Sequence, residues 1–264
     1  MADVVRVINE GKVRIVQMNR PELKNALNQE LAWGMLGAVE EASKDDSVWV
    51  IAVTGVGDAF SSGLDLTGGG STGSPLTGQA AYLEELAWVG RIPYLFRKMC
   101  DKPIVAGING VAVGAGLGIA MSCDVKLMAR NARLIAGYPR IGGSPDAGLS
   151  WTLPQAMGYE QAMRFLLENK TVTGDEALKL GMVGEVVDDT AFDARFHEYC
   201  QQLTNLSPIT SRLTKRGVGR AVAIDLESQL RYEVANIGKA FGSRDGKEAR
   251  AAFLERRTPV FEGR

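Results

Sequence analysis

Three short apolar runs constrain the fold of this chain more than any other feature. VWVIAVTG (48–55) and PIVAGING (103–110) carry no charge and end in glycine, and VKLMAR (125–130) is apolar apart from Lys126 and its final Arg130. Runs of this length without polar alternation are buried strands covered on both faces, as in a parallel sheet. Between the second and third lies GAGLGIAMSC (114–123), whose small residues read as a short buried helix. The strand–helix–strand order predicts an α/β protein with a largely buried sheet. A chain of 264 residues is long enough to enclose such a core without cross-links.

Ahead of these runs, VVRVI (4–8) and VRIVQMN (13–19) flank Asn9-Glu10-Gly11-Lys12 and predict a β-hairpin. Pro21 breaks the pattern. Asn28 then caps a helix to about Lys44, with Leu31, Met35, Ala38, Val39 and Ala42 as its apolar stripe. From Tyr159 onward the spacing is mostly helical. The expected organisation is an α/β core over 1–200 and a helical region over 201–264. TGGGSTGSPLTGQ (67–79) reads as a loop, and no internal repeat is legible.

Composition narrows the chemistry. The net charge of −1 gives no basic surface for nucleic acid or an anionic membrane. No apolar run reaches membrane-spanning length, and the N-terminus lacks a signal-peptide core, so a cytoplasmic location is expected. Cys100, Cys123 and Cys200 are far apart and odd in number, the pattern of reduced thiols and not of a disulfide frame or zinc site. His197 is the only histidine, and it sits in a polar helix as a structural residue.

Two glycine-rich segments follow strands: DAFSSGLDL (58–66) and INGVAVGAGLGIAMSCD. Turns free of large side chains can present backbone N–H groups to a ligand, and two converging N–H groups form an oxyanion hole. Close helix–sheet packing is the competing explanation for the glycines. Gly114-Ala115-Gly116-Leu117-Gly118 does not reproduce the dinucleotide-binding spacing, and there is no phosphate loop.

These two segments, with NRPELKNALN, PRIGGSPDAG and TGDEALKLGMVGEVV, make the chain resemble the crotonase family of enoyl-CoA hydratases and isomerases. The likeness runs in order along nearly the whole chain. It implies a spiral of ββα units, a helical trimerisation region, and a homotrimer or dimer of trimers. It implies acyl-CoA thioesters as substrates, with coenzyme A as part of the substrate and no other cofactor or metal. By the family pattern, the N–H groups of Leu64 and Ala115 hold the thioester oxygen as it becomes an enolate. Ala26, Ser62, Gly63, Leu66 and Gly114 belong to the same binding edge, and Asp65 is expected to hold the first loop. Lys24 fits the nucleotide edge; Lys215 and Arg216 are further candidates for the coenzyme A phosphates.

The chain departs from the hydratases where they carry two water-positioning glutamates: these positions are Gly118 and Tyr138. One new carboxylate, Asp146, lies in RIGGSPDAGLSW (140–151), just before a helix starting near Leu149. It can cap that helix. Family members with an aspartate here use it as base or nucleophile; they include ring-opening epoxide isomerases, chlorobenzoyl-CoA dehalogenases and naphthoate synthase. A lone carboxylate in an apolar pocket suits proton shuttling, because desolvation raises a carboxyl pKa toward the working range. The resemblance therefore implies an isomerase with Asp146 as base, with hydration as the main alternative. Dehalogenation and a non-catalytic CoA-ester-binding role rank lower. The helix over QAAYLEELAWVGRIPYLFRKMC lacks the dehalogenase histidine but offers Glu84 or Glu85 as a second acid or base. Tyr82, Trp88, Tyr138 and Trp151 are candidates for the acyl tunnel, and Gly118 is expected to leave extra room in it.

Overall fold

The chain enters the sheet through the expected hairpin. β1 (Val5–Glu10) and β2 (Val13–Met18) run antiparallel, Val5 opposite Met18, around Gly11 at φ 60°. This architecture comes from a computed structural model that describes residues 3–67, 75–205, 208–220, 225–227 and 244–257, and positions 234, 238, 241, 242 and 259. Most of the Gly/Ser-rich loop and most of residues 226–241, within the helical region expected over 201–264, lie outside the described residues. Next comes α1 (Gln29–Lys44), where the Asn28 side chain accepts the Leu31 N–H at 2.9 Å and caps the helix as its sequence position predicts. Leu31, Ala32, Met35, Leu36, Val39 and Ala42 bury its apolar face.

The three apolar runs become β3 (Val50–Gly55), β5 (Ile104–Ile108) and β7 (Val125–Ala129). Together with β10 (Glu185–Val187) they extend the hairpin into a six-stranded sheet of order β1-β2-β3-β5-β7-β10, parallel from β2 onward. Three-residue strands form a second sheet, β4 (Ala59–Ser61), β6 (Val111–Val113), β8 (Arg133–Ile135) and β9 (Thr171–Thr173), in that order. Each of the pairs β3/β4, β5/β6 and β7/β8 gives one strand to each sheet. This is the repeat that the sequence hides: the second strand of each pair is too short to show alternation.

Between β6 and β7, α4 (Ala115–Ser122) is buried along its whole length. It can lie on the second sheet because Gly116 has no side chain: a Cβ there would come within 2.7 Å of Ser61. The remaining helices wrap the sheets: α2 (Gly78–Tyr82), α3 (Ala87–Tyr94, continued by a wider turn over Leu95–Met99), α5 (Leu149–Met157), α6 (Tyr159–Glu168), α7 (Gly174–Lys179), α8 (Phe192–Leu203), α9 (Pro208–Arg220) and α10 (Arg244–Leu254). Two expectations need correction. The stretch 79–100 is not one helix: it breaks between Tyr82 and Ala87, and Ala87 takes φ 50°. The part after Tyr159 also contributes β9 and β10.

Polar anchors fix the outer layer. His197 on α8 bonds Glu10 of β1 through Nδ1 at 2.8 Å, a structural tie as expected. All three cysteines are free and buried, and burial pushes the Cys123 and Cys200 thiols up to about 12, so both stay protonated and inert. Among the described residues, no helix is long and apolar enough to cross a membrane.

Candidate active site

Two neighbouring turns each present one main-chain donor. In the first, Leu64 bridges Leu27: the Leu27 N–H donates to Gly63 O at 2.7 Å and the Asp65 N–H to Leu27 O at 3.0 Å. Amides alternate in direction along extended chain, so the Leu64 N–H points the other way. In the second, Gly114 (φ 52°, ψ −123°) turns the chain from β6 into α4. Ala115 is the first residue of that helix, where N–H groups have no intrahelical acceptor and the helix dipole favours negative charge. The parallel pairing of β4 with β6 sets the two turns side by side. A Cβ on Gly63 would lie 2.7 Å from Val113 O and 3.9 Å from Ala115 N. Gly63 sits at φ +87° and has to be glycine for this approach.

The first turn is buttressed by NRPELKNALN. Asn25 donates through Nδ2 to Ala59 O at 2.8 Å, and Ser61 Oγ donates to Asn25 O at 2.8 Å. Arg20 reaches Ala26 O at 2.5 Å and grips Asp65 Oδ2 with both terminal nitrogens at 3.0 Å. Burial opposes ionisation of Asp65. The Thr67 hydroxyl and N–H and the Arg20 guanidinium outweigh it and hold the carboxyl below its ordinary range. Asp65 therefore holds the loop, as expected. Because its pKa is depressed on folding, its contribution is complete above the unfolded carboxylate range near pH 4 and is lost as pH falls through the lower folded value. Arg20→Ala should cost about 3 kcal/mol in urea unfolding at neutral pH, the cost of stranding a buried partner. The gap to the parent should narrow below about pH 4.

Asp146 lines the same cavity as Leu64 and Ala115. The chain from Gly142 to Gly148 is tightly turned, with Ala147 at φ 49° and Gly148 at φ 79°. The N-cap position of α5 is Gly148 and carries no side-chain cap; Asp146 contributes its carbonyl, which accepts the Leu149 N–H at 3.0 Å. Asp146 is 7% exposed, and its Oδ1 accepts the Tyr138 hydroxyl at 2.6 Å. Ser62, Gly63, Leu64, Leu66, Gly114, Ala115, Tyr138 and Asp146 line one cavity of about 280 Å³. Val113, Ile135, Ile141, Phe241 and Phe253 supply most of its apolar wall, and Arg140 is its cation. Asp146 is the single carboxylate among the described lining residues. Phe253 comes from α10, which packs on the turn over Tyr138–Ile141.

A family model described as enoyl-CoA hydratase/isomerase matches residues 9–264. The chain is a member of the crotonase (enoyl-CoA hydratase/isomerase) family. This crotonase is 30% identical to the short-chain-enoyl-CoA hydratase of Clostridium acetobutylicum, over 94% of this chain and 93% of that one. It is also 30% identical to the 1,2-epoxyphenylacetyl-CoA isomerase of Escherichia coli, over 97% of both. Its structure superposes on the crystal structure of an enoyl-CoA hydratase/isomerase from Pseudoalteromonas atlantica with a TM-score of 0.87 at 30% identity, covering 98% of this chain and all of that one. Coenzyme A enters crotonase chemistry as part of the thioester substrate, and no additional cofactor is needed.

Eleven of the expected residues lie away from the crotonase cavity walls. Tyr82 is 88% exposed at the end of α2. Trp151 lines a separate cavity of about 470 Å³, with Arg97 5.4 Å from its ring centre. Lys24 pairs with Asp58 at 2.5 Å, while Ala26 and Asp65 buttress the first turn from behind. Gly118 leaves no extra room: a Cβ there would meet Ala147 Cβ at 2.4 Å and Ala147 O at 2.7 Å. The turn that carries Asp146 already fills that space. Trp88 belongs to the core. Glu84 is a structural residue, accepting the Leu86 and Ala87 N–H groups at 2.9 and 3.1 Å and pairing with Arg91, and Glu85 is exposed. Lys215 pairs with Asp124 at 2.7 Å, and Arg216 with Asp101.

Sequence reasoning did not find the Arg20–Asp65 clamp, the Tyr138–Asp146 bond or the aromatic wall from Phe241 and Phe253. Only the first had a signal, in the arginine of NRPELKNALN.

Proposed function

We propose that this crotonase is an acyl-CoA isomerase in which Asp146 moves one proton between two carbons of an enolate. The observation that carries the reading is the placement of Asp146 as the one carboxylate among the described walls of a cavity that also holds both N–H donors. For a 3-enoyl thioester, the carboxylate removes the α-proton: the C–H bond breaks, an O–H bond forms on Asp146, and the electron pair delocalises onto the thioester oxygen. The Leu64 and Ala115 N–H groups stabilise that oxygen, each by about 3–4 kcal/mol. The Asp146 carboxyl, whose proton exchanges with solvent, then protonates the γ-carbon and gives the 2-enoyl thioester. Ring isomerisation next to a thioester follows the same proton accounting.

Arg140 at the cavity is suited to the coenzyme A phosphates, since Lys24, Lys215 and Arg216 are held by carboxylates. Assembly as a homotrimer or dimer of trimers through residues 201–264, in the cytoplasm, completes the reading.

The test is a panel of 3-enoyl, 2-enoyl and aromatic CoA thioesters turned over in heavy water. Deuterium entering the α- and γ-carbons without net hydration supports isomerisation. The second reading, hydration, draws on the hydratase relative; accumulation of a 3-hydroxyacyl-CoA would replace the isomerase assignment with it. Binding of CoA esters with no turnover would make the protein a binding paralogue.

A further inference from the structure

The Tyr138 hydroxyl sits 2.6 Å from Asp146 Oδ1, and both groups are buried in the wall of one cavity. An ionised carboxylate is acceptor-only, so at this bond the tyrosine donates. The donor is itself fixed. Tyr138 opens the short helical turn over Tyr138–Ile141, and its carbonyl accepts the Gly143 N–H at 3.0 Å. A Cβ on Gly143 would lie 3.6 Å from the ring, and one on Gly114 would lie 3.9 Å from the hydroxyl. The hydroxyl therefore stands between the base and the turn that carries the Ala115 donor.

We infer that Tyr138 is the positioning residue of the proton-transfer step, holding Asp146 ionised and aimed at the substrate carbons. This inference rests on the reading of Asp146 as the base. A hydrogen bond donated to a carboxylate favours its charged form, and the charged form is the one that accepts a proton. The bond also fixes the plane of the carboxylate, so that the oxygen that takes the proton from one carbon is correctly placed to return it to the next.

Charged groups on the neighbouring elements are committed elsewhere or lie on the cavity wall. α4 brings no charged residue to Asp146, and α3 meets its turn through Pro93 against Gly148. Arg91 of α3 is committed to Glu84. Arg140 lines the same cavity, and Arg250 of α10 stacks 4.7 Å from the Phe241 ring centre. The tyrosine bond is the element that a single hydroxyl deletion removes.

The experiment compares Tyr138→Phe, Asp146→Asn and the double variant, following α-proton exchange of a 3-enoyl-CoA in heavy water from pH 5 to 9. For Tyr138→Phe the expected result is a kcat lowered about 10- to 100-fold, KM within about twofold, and the acid limb of the kcat/KM profile moved about one pH unit higher. The double variant should be no slower than Asp146→Asn, because Tyr138 acts only through the carboxylate. If the Phe variant keeps the parent acid limb and a rate within twofold while Asp146→Asn is inactive, the tyrosine assignment fails and the base assignment stands. If Asp146→Asn stays active, the base assignment itself is lost. A further loss of rate in the double variant over Asp146→Asn would show a role independent of Asp146 and overturn the inference. Should the variants without the hydroxyl unfold, a fluorinated tyrosine at 138, a stronger donor with the same ring, decides: the acid limb should move lower, and an unmoved limb overturns the inference.

Discussion

Asp146→Asn is expected to lower α-proton exchange of a 3-enoyl-CoA by about 10²- to 10⁴-fold, the usual contribution of a positioned acid–base group. The fold and KM should hardly change. The amide oxygen still accepts the Tyr138 hydroxyl, so that donor keeps its partner. In the proposed mechanism the thioester oxygen is held by the Leu64 and Ala115 N–H groups, which the substitution does not touch. The loss should therefore appear in kcat, as it does when an interaction exists only along the reaction coordinate. Stopped-time exchange measured by mass spectrometry, with a thermal melt of the same sample, checks both halves. Exchange within a few fold of the parent would remove Asp146 from the chemistry and return it to a purely structural part in its turn.

The second large effect concerns Gly118. Placing glutamate at this position, where the resemblance leads one to look for a water-positioning carboxylate, should not create a hydratase. It should unfold or strongly destabilise the protein. A Cβ at 118 meets the Ala147 Cβ at 2.4 Å and the Ala147 carbonyl at 2.7 Å, and the carbonyl is backbone that cannot swing aside. Overpacking of this kind costs about 1–3 kcal/mol even for a methyl group, and glutamate adds a charge on a helix buried along its length. Relief requires the turn over Gly142–Gly148 to move, and that takes Asp146 off Tyr138. The glutamate at 118 and the aspartate at 146 thus exclude each other on this backbone. Differential scanning fluorimetry on Gly118→Ala and Gly118→Glu checks the order of loss. A stable Gly118→Glu protein that hydrates crotonyl-CoA would show that the turn yields cheaply.

The large elements were legible because their signals are local. The hairpin, the Asn28 cap, the three buried strands and α4 all follow from periodicity, capping chemistry and residue size. The turns carrying Leu64 and Ala115 were legible as glycine punctuation after strands. What escaped depends on contacts between segments far apart in the chain. The strands of the second sheet are three residues long and carry no period of their own. Gly118 read as empty space, because nothing in a sequence says that Ala147 packs onto it. Tyr82 and Trp151 read as tunnel walls from their size and helical spacing, yet one faces solvent and the other a different cavity. Tyr138 was noted for the glutamate that it replaces; its bond to Asp146 needed the turn geometry to be seen.

The two proposed enolate donors belong to the main chain, and this separates two kinds of change that the protein can undergo. Substitutions at Leu66, Ile141 or Phe253 reshape the cavity wall without deleting either amide. The acyl group accepted can therefore drift by single steps while the means of stabilising negative charge is inherited unchanged. The vulnerable positions are the few that set backbone path, Gly63 and Gly114 above all. A lineage built this way can explore new thioesters through its side chains and is locked only at its glycines.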